Sequence, residues 1–292
     1  MLEHISAYYG HVNGNRFLVA DMRGADTPVS AETLGKISRR ICLSHFVDDF
    51  IVIEASTQAR ARMRVFGGDG REANFCGNGL LLTLEVLRKA DFSCQKVYKN
   101  RRVFIETAVG IRLVIVGKDR NHAIACSPIL TTLRNFAPLS AEVGARIYGL
   151  LIAGEPHVLV APPDNLAFDF CEKRFSPCEL FAQELAALIS FPGGVNVSLV
   201  MFVHPSEISL LTVERGVKRL TASCGSAATA AAGYFFGKDQ AATQHRRIVV
   251  HSPGGKHLLR YRHKTGGWWL SGQSHLVGNG QLGDFIDLWR LG

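Results

Sequence analysis

The sequence predicts an α+β protein built from two similar halves, and three observations carry that expectation. Short β-rich runs recur along all 292 residues. Each half also holds one main apolar helix, and strands with a single helix per half make an α+β layer. In Gly68-Asp69-Gly70-Arg71-Glu72-Ala73-Asn74-Phe75-Cys76-Gly77-Asn78-Gly79, a cysteine sits on a glycine turn just before an apolar run. Ala222-Ser223-Cys224-Gly225-Ser226 repeats the arrangement 148 positions later (224 − 76). The repeat points to an internal duplication with both turns facing one site.

Taken in order, Ile5 to Asp21 alternates apolar and polar residues around Asn13-Gly14-Asn15, as two strands about a tight turn do. Ala31 to Cys42 has helical spacing, with Ser30 placed to cap it. Asp49 to Ala55 and Arg60 to Phe66 read as strands that lead into the Cys76 turn. Leu80, Leu81, Leu82, Leu84, Val86 and Leu87 follow, apolar on nearly every face, so this helix is expected to be buried. Lys96 to Glu106, Ile111 to Val116 and His122 to Ser127 are the next strands. A second round begins with Tyr148 to Ala153 and His157 to Val160 around Gly154-Glu155-Pro156. Pro177 to Ser190 is helical in period, and Val195 to Val203 and Ile208 to Val213 are strands entering the Cys224 unit. The small run Ala227 to Gly233 lets other backbone pack close. Arg247 to His251, His257 to Arg262 and Trp268 to Ser271 complete that half. The halves are expected to be 1–121, rejoined by 276–292, and 122–275.

Composition excludes several classes. With 47% hydrophobic and 20% charged residues the chain can fill a core. No stretch approaches the roughly 20 apolar residues of a membrane span, so no membrane partner is expected. Met1-Leu2-Glu3-His4 does not open a secretory signal. The seven cysteines, 42, 76, 94, 126, 171, 178 and 224, are odd in number and show no CxxC. This argues against a disulfide scaffold or a zinc site and for a cytoplasmic location. The net charge of +8 (33 − 25) is scattered through the chain, so no nucleic acid is expected as partner.

Both cysteine turns can do chemistry. The unpaired N–H groups and positive end of a helix stabilise a thiolate and hold a carboxylate. Inverting a carbon needs a base on one face and an acid on the other. A thiol with a pKa of about 8.5 can be tuned to either role. Cys42, Cys94, Cys126, Cys171 and Cys178 lack such turns and are assigned to packing.

The motifs, in order, resemble the diaminopimelate epimerases and related cofactor-independent amino-acid racemases over nearly the whole chain. His11-Val12-Asn13-Gly14-Asn15-Arg16-Phe17 resembles the family's HGxGNDF opening, and Gly154-Glu155-Pro156-His157 its GNPH. Cys76-Gly77-Asn78-Gly79, Asn196-Val197, Glu214-Arg215-Gly216, Cys224-Gly225-Ser226 and Ser252-Pro253-Gly254-Gly255 match its remaining signatures. The resemblance implies two lobes, each a barrel-like curved sheet around a central helix, with the active site in the cleft between them. It implies Cys76 and Cys224 as paired acid and base, with His157 and Glu214 adjusting their protonation. Asn15, Asn196, Glu214 and Arg215 map onto substrate-binding positions, and the amides of Gly77, Asn78, Gly225 and Ser226 onto the cradle for the substrate carboxylate. No cofactor is expected, neither pyridoxal phosphate nor metal. The expected partner is a small amino-acid substrate, with a homodimer as the assembly allowed.

Three positions depart from the diaminopimelate enzymes: Gly67 and Glu155, where these carry asparagine, and Phe50, where these carry glycine or glutamine. All three map around the distal end of the substrate. A carboxylate at 155 and an aromatic ring at 50 favour a cationic side chain or an aromatic one with a donor. Histidine fits both, as in related histidine racemases of opine metallophore biosynthesis; lysine, ornithine and arginine stay open. Diaminopimelate epimerase itself and a non-catalytic small-molecule-binding protein are the rival readings. A phenazine-type isomerase is disfavoured by the two cysteines.

Overall fold

The computed structural model describes residues 2–44, 47–91, 101–117, 121–126, 129–131, 136–152, 155–163, 166, 176–204, 206–236, 247–262 and 267–287. The chain divides into two compact units, Met1–Ile124 with Ser271–Gly292, and Ala125–Leu270. Cys94, Cys171, Gly154 and the Lys96–Asn100 start of one expected strand lie outside the described residues.

In the first unit, β1 (Ser6–Val12) and β2 (Asn15–Asp21) form a hairpin. Its turn residues Asn13 and Gly14 both have positive φ, 48° and 79°. That is the turn whose twist suits two flanking strands. Helix α1 (Ala31–Ser44) begins where Ser30 Oγ accepts from the Thr33 amide at 3.1 Å. It returns the chain so that β3 (Asp49–Glu54) runs parallel to β2. β4 (Ala61–Gly67) and the two-residue β5 (Glu72–Ala73) follow in antiparallel pairing. Then come α2 (Gly77–Ala90), β6 (Arg102–Thr107), β7 (Gly110–Ile115) and β8 (Asn121–Cys126). β6 pairs parallel with β4, whereas β7 pairs antiparallel with β6 and β8 antiparallel with β7. The long last strand, β17 (Gly267–Gln281), pairs with both β1 and β8, which closes an eight-stranded barrel.

Strand alternation divides the core of this unit. Leu18, Ala20, Phe50, Val52 and Phe66 pack with Leu34 and Ile41 of α1 and with Leu282 of the short α6 (Leu282–Asp287). Phe17, Val19, Ile51, Ile53, Met63 and Val65, one residue out of phase, are equally buried and take the other face. Helix α2, buried from Gly77 through Leu87, needs that second apolar surface. Its one acidic residue, Glu85, is paired with buried His122. The Gly117 amide donates to His122 Nδ1 at 3.2 Å, so Nε2 is the nitrogen that donates to Glu85. Burial alone would raise the Glu85 pKa, but the His122 hydrogen bond and the Arg88 guanidinium lower it below the usual value. Glu85→Ala, which orphans the buried imidazole N–H, is expected to lower the unfolding free energy by about 2 kcal/mol, read by urea titration. Because the folded pKa is depressed, the wild-type advantage is present above pH 4.5 and fades as the pH falls further.

The second unit repeats the order of elements. After β9 (Ile129–Thr131) and the short α3 (Ala137–Glu142), β10 (Arg146–Ile152) and β11 (Pro156–Ala161) form an antiparallel pair. Helix α4 (Ser176–Leu188) leads to β12 (Asn196–His204), parallel to β11. β13 (Glu207–Val213) and β14 (Leu220–Thr221) precede α5 (Gly225–Phe235), and β15 (Arg247–Ser252) pairs parallel with β13. β16 (Gly255–Arg262) completes the series and leads into β17. Each parallel and antiparallel pairing from β2 to β7 thus has its counterpart from β11 to β16. Ala182 and Leu185 of α4 pack on Val158, Val160, Val197 and Leu199, while α5 is buried from Gly225 to Gly233. Among the described residues, no helix is long and apolar enough to cross a membrane.

Candidate active site

The first unit sets Cys76 as the N-cap of α2, in extended conformation at φ −137° and ψ 111°. Its Sγ accepts from the Gly79 amide at 3.3 Å. A Cβ at 79 would stand 2.9 Å from Ile51 Cδ1 and 3.3 Å from Cys76 Sγ, so glycine there keeps room for the sulfur. One turn residue on, Asn78 Nδ2 donates to Asn15 Oδ1 at 3.1 Å, and Asn15 Nδ2 donates to Asp48 Oδ2 at 3.0 Å. Asp48 also accepts from the Arg16 amide at 2.8 Å. All three side chains are buried. A line of amides ending on a carboxylate fixes which way each amide faces.

The second unit sets Cys224 at the same place, the N-cap of α5, with φ −130° and ψ 111°. A denser network surrounds it. The Arg215 amide donates to Asn196 Oδ1 at 3.0 Å, which leaves Asn196 Nδ2 to face His157 Nε2 at 3.4 Å. An amide nitrogen only donates, so His157 Nε2 is an acceptor. The Ser226 hydroxyl donates to the same nitrogen at 3.0 Å, and its lone pairs face Cys224 Sγ at 3.3 Å. Burial, and behind it the Arg215 charge, push the His157 pKa down to about 3, so the ring is neutral with its proton on Nδ1. Among the described residues that buried nitrogen has no hydrogen-bond partner. Glu214 accepts from Thr221 Oγ1. Glu155, buried at the entry to β11, accepts from Arg215 Nη2.

Registers make the two sites comparable residue by residue. The parallel ladders begin Phe17↔Asp49 and His157↔Asn196, so Asn15 and Glu155 hold equivalent positions two residues earlier. Phe66 pairs with Glu72 as Val213 pairs with Leu220, which makes Gly67 and Glu214 equivalent positions. Cys76 and Cys224, and Asn78 and Ser226, match as helix positions. The halves therefore share a scaffold and differ in charge: the second carries two carboxylates where the first carries an amide and a glycine.

The helix end alone does not set the state of Cys224, which is only 4% exposed. Burial, then the Glu214 carboxylate, push its pKa well above the usual thiol value, and the helix end does not offset them. Phe50, expected to line the substrate, lies instead fully buried in the core with Leu34, Ile41 and Phe66. The alternation of β3 turns it to the α1 side. Gly67 ends β4, where its carbonyl accepts from Ser38 Oγ at 2.8 Å. Sequence reading missed Asp48, which anchors Asn15. It also missed the Ser226 hydroxyl, having used only that residue's backbone. A lone acid before a strand carries no local signal of burial.

No family model matches the chain. A curated diaminopimelate epimerase of Desulforudis audaxviator is 27% identical over 299 residues, 93% of this chain and 96% of its own. Another, of Oceanobacillus iheyensis, is 27% identical over 245 residues, covering 80% and 82% of the two chains. A solved hydroxyproline epimerase of Agrobacterium vitis, with bound trans-4-hydroxy-L-proline, superposes with a TM-score of 0.67 at 14% identity, covering 95% of this chain and 92% of that one. The similarity carried by the sequence motifs thus extends along most of the chain, and the fold is one shared with racemases and epimerases.

Proposed function

We propose that the chain inverts an amino acid at Cα by two-base catalysis, with Cys76 and Cys224 serving opposite faces of one carbon and L-histidine or a basic amino acid as substrate. That it is an isomerase follows from its curated relatives. The observation that carries the rest is the repeated N-cap: two cysteines in nearly identical backbone conformation, at one equivalent position of a duplicated scaffold. One thiolate removes the Cα proton and the opposite thiol returns another. Charge developing on the substrate carboxylate is met by the first-turn amides at Gly77 and Asn78, and at Gly225 and Ser226. Neutral His157 and Asn196 hold Ser226 against Cys224, and Glu214 keeps that thiol protonated until substrate arrives. No step requires a cofactor.

Diaminopimelate is the second reading, favoured by the relatives' printed activity. Incubating the protein in heavy water with a panel of L-amino acids, diaminopimelate included, tests both. The expected result is deuterium at Cα and appearance of the D-enantiomer for histidine or a basic amino acid. Faster epimerisation of diaminopimelate than of any of these makes the second reading the right one. No exchange with any amino acid removes both.

A further inference from the structure

We infer that Glu155 acts as an internal carboxylate for Arg215, and that this pair confines the site to amino acids without a second carboxylate. The inference rests on the amino-acid reading above. Arg215 Nη2 donates to Glu155 Oε2, and Arg215 Nη1 donates to the Gly193 carbonyl at 3.3 Å. Gly193 is held at φ +76°, and a Cβ there would stand 3.2 Å from Nη1, so the guanidinium is gripped closely by this turn. The Glu155 side chain is 6% exposed and that of Arg215 24%. The pair is no surface decoration. Asn196 and His157 link Arg215 to Ser226 and so to Cys224.

A guanidinium fork is a receptor for carboxylates. Here the protein fills it before any ligand arrives. A side-chain carboxylate entering the fork has to displace Glu155 and separate a buried charge from its arginine, a penalty on the order of 10²- to 10³-fold in affinity. A donor on a neutral or cationic side chain meets no such penalty, since a carboxylate oxygen bound to arginine still presents acceptor character. Direct repulsion from Glu155 is therefore the smaller part of its effect; the larger part is that it takes Arg215 out of use. The first unit has a neutral residue at the equivalent place: Asn15 bonds Asn78 and Asp48, and the Arg16 guanidinium pairs with Asp48 at 3.9 Å.

Calorimetric titration of the full chain with diaminopimelate, and with L-histidine and L-lysine as counterparts that lack a second carboxylate, tests this. Glu155→Asn should bind diaminopimelate at least ~30-fold more tightly than wild type does, a part of the penalty above. Adding Arg215→Met to that variant should abolish the gain. Wild-type protein that binds diaminopimelate as tightly as the variant, or a folded variant with no gain, overturns the inference. Should Glu155→Asn fail to fold, wild type decides: diaminopimelate bound more tightly than both counterparts refutes the inference, and binding at least ~10-fold weaker supports it. Binding needs no turnover, so a protein that exchanges no Cα proton fails the racemase reading while the titration still decides the role of the pair.

Discussion

Alanine at either Cys76 or Cys224 is expected to stop racemisation while the protein stays folded. In the proposed mechanism each thiol supplies a full acid–base partner in every turnover, so the loss should be on the order of 10³-fold or more. Both directions must fall together, because the equilibrium constant for a pair of enantiomers is one. Stability should change little: Cys76 is half-buried, and Cys224 loses only a small group against Ser226. A two-base enzyme leaves a further trace. With Cys76 removed, Cys224 can still take and return a proton on its own face. One enantiomer should then slowly wash in deuterium at Cα without inverting, seen by proton NMR and chiral chromatography. Full racemase activity in either variant ends the assignment, and identical exchange of both enantiomers in a single-cysteine variant ends the two-base form of it.

Much of the scaffold was legible in the sequence because its signals are local. Asn13-Gly14 announces a hairpin, Ser30 caps α1, and Leu80 to Leu87 is apolar all round, so these elements fall where spacing puts them. The barrel closure was not legible. β17 reads as a strand only at Trp268 to Ser271, yet it runs on to Gln281. Its later half, His275 to Gln281, is polar, glycine-rich and partly exposed, and is held in place by pairing with β1, as in Ala7↔Gly280, 273 positions apart in the chain (280 − 7). Local propensity carries no trace of such a partner. The site divides in the same way. The glycine turns gave away both cysteines. The Glu155–Arg215 pair joins residues 60 apart, and the Asn15–Asp48 bond joins residues 33 apart, so neither appears until the strands are in register. The protonation of Cys224 depends on burial and on a carboxylate from another turn, neither of which its own helix end discloses.

That environment sets the second large effect. Cys224 in the substrate-free protein should resist alkylation at neutral pH, and Glu214→Gln should release it. A thiol reacts as thiolate, and each unit by which its pKa is raised removes tenfold of that form at a fixed pH. Burial is the first cause of the raised Cys224 pKa and the Glu214 charge the second. The amide variant keeps the size of the side chain and the burial, and removes only the charge. Alkylation of Cys224 by iodoacetamide at pH 7.5, followed by peptide mass spectrometry, should therefore quicken by about tenfold, with its rate–pH curve displaced to lower pH. Cys76 is the internal reference, since its unit carries Gly67 where the other carries Glu214. Its rate should be unchanged. Access alone cannot imitate this pattern: a variant that merely loosened the second unit would raise the rate at every pH and leave the midpoint of the curve in place. An unmoved midpoint would show that Glu214 does not hold the proton on Cys224. Racemisation should respond in the opposite sense, slowing in the variant, because a thiolate formed before substrate binds leaves the return step without its acid.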